Sequence, residues 1–161
     1  MSINFQNGVA ISTSNSATLA LQSGTQGLHA PRKPAFAAYG ANAATVSTVV
    51  TWSTREFDVL NNFSTTTHRF TASVAGTYYF KYHQLMNYAN AGEYRVNIRL
   101  NAVGQWGRCI HYKPGGSTYT SIQVEAKIVM AINDYVDVFV EAAPAGLGAD
   151  TGWNHFQGYM I

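Results

Sequence analysis

From about residue 35 to residue 161 the residues repeat with a period of two, in short blocks separated by turn residues. In Glu93–Leu100, Tyr94, Val96, Ile98 and Leu100 alternate with Glu93, Arg95, Asn97 and Arg99. In Gly76–Met86, Tyr78, Phe80 and Tyr82 share one face, and Tyr79, Lys81 and His83 share the other. A period of two is the signature of a strand, because successive side chains point to opposite sides of a sheet. The closing stretch obeys the same rule. Phe156, Gly158 and Met160 fall on one face, and Gln157, Tyr159 and Ile161 on the other. Apolar on both faces, it is expected to be a strand sealed inside a sandwich or between subunits.

Further strands are expected at Val46–Trp52, Phe57–Asn62, His68–Ser73, Gln105–Tyr112, Thr118–Met130 and Tyr135–Glu141. Phe36 and Tyr39 open the series. Lys113-Pro114-Gly115-Gly116-Ser117 and Asn133-Asp134 are turns, and Pro144–Gly152 is a loop of small residues. Ile122–Ile132 has a weak helical alternative in Val124, Ile128 and Ala131, but its β-branched content and Thr-rich flank favour strand. About eight to ten short strands in one domain imply an all-β sandwich or jelly roll.

Composition closes off other classes. Only 11% of residues are charged, against roughly 25% in ordinary domains, so surface polarity must come from Ser, Thr, Asn, Gln and Gly. The net charge of +2 carries no Lys/Arg run, so nucleic acid is not an expected partner. No segment has the length of a membrane helix, and the N-terminus lacks the basic and apolar regions of a signal peptide. Cys109 stands alone and is read as a small buried apolar residue, not as a nucleophile served by His111. The five histidines (His29, His68, His83, His111 and His155) show no metal-ligand spacing, and Asp58, Asp134, Asp137 and Asp150 form no calcium loop. Asp58 is expected to bond locally and Asp134 to shape a turn. No catalytic constellation and no cofactor motif is present, so the chain reads as a non-enzyme. Trp106 and Trp153 near loops are candidate glycan contacts, with capping of the sandwich ends as the plainer role.

Residues 1–34 are different. Ile3/Phe5, Val9/Ile11 and Leu19/Leu21 are isolated period-2 pairs among Ser, Asn, Gln, Thr and Gly. The segment reads as an extended arm that either packs on its own domain or binds a partner, followed by the stiff linker Pro31–Pro34. Aromatics make up 13% of the chain and stand on both faces of their strands. One face fills the sandwich, and a cyclic oligomer would cover the other. Tyr79, Tyr82, Phe156, Tyr159 and Ile161 are the expected interface.

Four patches lie in register with a known pattern. Phe57-Asp58-Val59-Leu60-Asn61-Asn62 resembles the FDxVLxN segment of C1q-like domains. Phe70 with Val74-Ala75-Gly76-Thr77-Tyr78-Tyr79-Phe80 resembles their FTxPxxGxYxF stretch. Asn133-Asp134-Tyr135-Val136 stands at their GDxV turn, and Phe156–Ile161 resembles their terminal FSGFLL strand. Val74 replaces the usual Pro, and Asn133 the Gly. The resemblance covers about 35–161. It implies a ten-stranded C1q/TNF-like jelly roll carrying an extended N-terminal arm, assembled as a tight homotrimer, and some relatives bind calcium at loops. No Gly-X-Y stalk precedes it. With the low charge and the arm, the whole profile resembles trimeric bacteriophage virion surface proteins. The expectation is a capsid decoration (cement) protein made in the host cytoplasm, its arm (Ile3, Phe5, Val9, Ile11, Leu19, Leu21) gripping the major capsid protein or another virion protein. The alternative is a head- or tail-fibre knob binding a host-surface glycan.

Overall fold

A computed structural model describes residues 32–161 apart from 42–44, 87–90, 117–118, 145–146 and 148–151. The chain divides into Met1–Pro31 and Arg32–Ile161, and the six apolar arm residues therefore lie outside the described residues.

The described residues form strands β1 (Ala35–Ala41), β2 (Thr48–Val49), β3 (Trp52–Asp58), β4 (Phe63–Ser64), β5 (Arg69–Thr71), β6 (Gly76–Met86), β7 (Gly92–Leu100), β8 (Val103–Lys113), β9 (Thr120–Met130), β10 (Tyr135–Ala142) and β11 (His155–Met160). They make two antiparallel sheets. The first runs β3-β1-β11-β6-β9, and the second β4-β5-β10-β7-β8 with β2 added to β10. Apart from the β4–β5 and β7–β8 hairpins, each strand is followed by one in the other sheet, which is the jelly-roll arrangement. The stretch Ile122–Ile132, with its helical alternative, is strand to Met130.

Alternation decides which side chains enter the core. Phe36, Tyr78, Phe80, Tyr82 and Phe156 point inward from the first sheet, and Phe70, Tyr94, Val96, Ile98 and Val138 from the second. Phe36 joins the sheets, stacked on Phe63 at 4.8 Å and Phe70 at 5.0 Å and edge-on to Phe156 at 5.0 Å. Each such pair adds about 0.5–1.5 kcal/mol beyond the area it buries. Gly158 sits in this cluster because a Cβ there would lie 2.5 Å from the Phe80 ring.

Two expected strands are redrawn. Val46–Trp52 is split: Thr48–Val49 pairs with β10, and Trp52 begins β3 in the other sheet. Phe57–Asn62 is the end of β3 followed by a turn. There the Asp58 carboxylate accepts the backbone N–H groups of Asn62 (2.9 Å) and Phe63 (2.7 Å), which bends the chain out of the ladder. Asp58 thus bonds locally, as expected.

Candidate functional site

The outward face of the first sheet is the most unusual surface. Pairing sets three rows across it: Ala35, Tyr159, Tyr79, Lys127; then Ala37, Gln157, Lys81, Glu125; then Tyr39, His155, His83, Gln123. The Tyr79 and Tyr159 rings lie 5.3 Å apart. Val129, 71% exposed, extends the apolar end beside Thr77. On β1 this face carries the small side chains of Ala35 and Ala37.

This arrangement divides the expected interface residues. Tyr79 and Tyr159 stand together on the outer face, and Ile161, exposed, follows β11 with its N–H donating to the Thr77 carbonyl at 2.9 Å. Tyr82 and Phe156 do not join them. Both are fully buried within the sandwich, Tyr82 bonded to Gln84 and Phe156 against Phe36 and Phe80. The reason is parity: residues of even number on β6 and β11 face the core, so Tyr82 cannot share a side with Tyr79.

The face has an ordered electrostatic pattern. Glu125 accepts a hydrogen bond from Tyr79 and an ion pair from Lys81 at 3.2 Å, and these partners hold its carboxyl below the usual range. Burial, and then Glu125, raises the Tyr79 phenol. Burial lowers the His83 imidazole. A hydrogen bond to the Trp153 backbone opposes that shift, while His155 and Lys81 add to it.

The second sheet's outer face is a salt-bridged lattice. Asp137 is fully buried beneath Arg99, which grips it through two bonds of 2.8 and 3.1 Å, with Arg69 at 3.5 Å. The two guanidinium groups lie over the rings of Phe139 (3.8 Å) and Tyr135 (4.1 Å). Trp106, Ile110 and Tyr112 are exposed along β8, the edge strand of this sheet. Trp153 is exposed in the turn leading into β11 of the first sheet, away from the strand of the second sheet that carries Trp106. Near β3 a cleft of about 720 Å³ is lined by hydroxyl and amide side chains, including Ser64, Thr66 and Thr71. Arg55 at its wall is occupied by Asn61 and Asp58.

Cys109 is half-buried against the core, and His111 bonds to the Thr120 hydroxyl at 3.0 Å. Asp134 shapes the turn after β9, accepting the N–H of Ala131 at 2.7 Å. Among the described residues no three His, Cys, Asp or Glu side chains form a metal-ligand set. The Lys81–His83–His155–Gln157 group escapes sequence reasoning because it depends on the β6–β11 register, which no local motif encodes.

The sequence model of the C1q domain matches residues 35–161. No curated protein matches. Among solved structures, the globular domain of zebrafish complement 1qA protein is similar at TM-score 0.59 and 23% identity, over 81% of this chain and 98% of that one. Murine APRIL at pH 5.0 is similar at TM-score 0.67 and 14% identity, over 81% of this chain and all of that one.

Proposed function

This chain belongs to the C1q domain family, and on that premise we propose that it is a non-catalytic structural protein that works as a homotrimer. The observation that carries this reading is the outer face of the first sheet, where Tyr159 and Val129 are exposed beside the half-buried Tyr79. Exposed apolar patches of this kind mark interaction sites, and a closed ring of identical chains covers such a face without leaving a free copy of it. Light scattering on the full chain tests this. Three times the chain mass is expected; one chain mass at micromolar concentration overturns it.

The place of that trimer is the surface of a bacteriophage virion, as a capsid decoration protein. The support is compositional: a surface with few charges, no catalytic constellation, and a polar arm at 1–34 carrying regularly spaced apolar pairs that suit docking on the major capsid protein. Deleting residues 1–30 is expected to abolish binding to capsids lacking the protein while leaving the trimer intact. Unchanged binding would sink the assignment. A fibre knob for host glycan is the second reading, favoured by the exposure of Trp106 and Trp153. A glycan array that stays silent with the purified protein removes it.

A further inference from the structure

On β6, Lys81 and His83 are two residues apart and share a face; on β11, His155 and Gln157 do the same. Pairing sets His155 opposite His83 and Gln157 opposite Lys81. The four side chains therefore stand at the corners of a rectangle, about 5 Å across the strands and about 7 Å along them. They line a cavity of about 190 Å³. Every corner can donate hydrogen bonds: an ammonium, two imidazoles and an amide. None of the four is a carboxylate.

We propose that this cavity binds a small tetrahedral oxyanion of the sulfate and phosphate class. Lys81 supplies fixed positive charge, and the Gln157 amide a neutral donor. His83 holds a hydrogen bond with the backbone of Trp153, so one ring nitrogen is committed. Its other nitrogen is an acceptor in the neutral ring and a donor only after protonation. Binding a fully deprotonated anion at that nitrogen therefore takes up a proton. Both signs of charge stand around His83. Lys81 stands on its own strand, with Tyr79 beyond. His155, Gln157 and Tyr159 face it from β11, and Gln123, Glu125 and Lys127 from β9, with Tyr39 of β1 past His155. The one carboxylate among these, Glu125, is held by Lys81 and Tyr79.

All four side chains come from one chain, so the site forms without a second copy, although it shares the face that the trimer reading covers. Sulfate is the right probe because its charge is constant across the range where histidine titrates. Calorimetric titration of the full chain with sodium sulfate, against sodium chloride at equal ionic strength, is expected to show saturable binding. That binding should be at least about tenfold tighter at pH 5.5 than at pH 7.5, as linkage to a proton requires. The imidazole resonances of His83 and His155 should move with sulfate. His83→Gln with His155→Gln should remove the pH dependence, and Lys81→Gln should weaken binding at both pH values. Phosphate in the same titration shows whether the site tolerates a protonated oxyanion. Binding unaltered by these substitutions, or no saturation with sulfate, overturns the proposal. Light scattering on the same samples separates the two claims: a monomer that binds sulfate leaves this site standing and sinks the trimer, and a trimer that ignores sulfate does the reverse.

Discussion

Asn133 has φ of +72°, in the left-handed region where a side chain with a Cβ is ordinarily strained and where Asn is tolerated best after Gly. That explains why this turn position can carry Asn. Gly158 is constrained differently, by space. A Cβ there would meet Phe80 ring carbons at 2.5 and 2.8 Å and Phe36 at 3.0 Å, all in the buried core. Gly158→Ala is therefore expected to destabilise the fold by about 1–3 kcal/mol, read from urea unfolding, since the rings are wedged between the sheets and have nowhere to go. An unchanged midpoint would mean the core is looser than its packing implies. His68 offers a pH-sensitive counterpart. Its Nδ1 accepts the Trp52 N–H at 3.0 Å, and burial lowers its pKa from 6.5. A lowered histidine supports the fold fully above 6.5 and loses that support as pH falls toward its folded value, because the unfolded chain takes the proton first. His68 also has φ of +58°, so His68→Asn keeps a residue suited to that backbone. The wild type is expected to lose more thermal stability between pH 7.5 and 5 than the Asn variant; equal losses would put the titration elsewhere.

At the level of elements, alternation was a reliable guide where one face is buried and the strand stays in one sheet. The bounds of β6 and the faces of β7 were legible for that reason, and so was the core side of β11 through Phe156 and Gly158. Val46–Trp52 was misread because its Val and Thr residues run on without punctuation while the chain changes sheets. Val50 still bonds to Val138 in one sheet, and Trp52 already pairs with Ala41 in the other. Nothing local marks that switch. The tight ends are easier, because they are built by short polar side chains. At the β9–β10 turn, Asp134 accepts the Ala131 N–H at 2.7 Å and the Asn101 amide at 2.8 Å, and Asn101 in turn accepts the Tyr135 N–H at 2.9 Å. These bonds to Asn101 and Ala131 lower the Asp134 pKa from 3.8. A lowered carboxylate contributes stability above its unfolded value and loses it as pH falls through the folded one. Asp134→Asn is thus expected to melt below the wild type at neutral pH, with the gap closing once both are taken below the carboxylate range. A gap that persists in acid would assign the loss to geometry instead of charge.

The whole molecule has two sheets whose outer faces are finished differently. Salt bridges and cation–π contacts close the second sheet, burying Asp137 beneath Arg99 and Arg69. The first sheet is left with tyrosine, valine and a ring of donors. That asymmetry was only half legible. Aromatics on both faces of β6 signalled a surface needing cover, but which tyrosines belong to it followed only from the pairing of β6 with β11. If the face is a subunit contact, folding and assembly are linked by mass action. The melting temperature of the full chain should then rise with protein concentration. Tyr79→Glu with Val129→Glu places two carboxylates on the face near Glu125 without touching the core. That variant is expected to keep its β-sheet circular dichroism, run at one chain mass, and melt at a temperature independent of concentration. A variant that still assembles with wild-type affinity would move the contact to another surface, the exposed row Trp106, Ile110 and Tyr112 along β8 being the next to substitute.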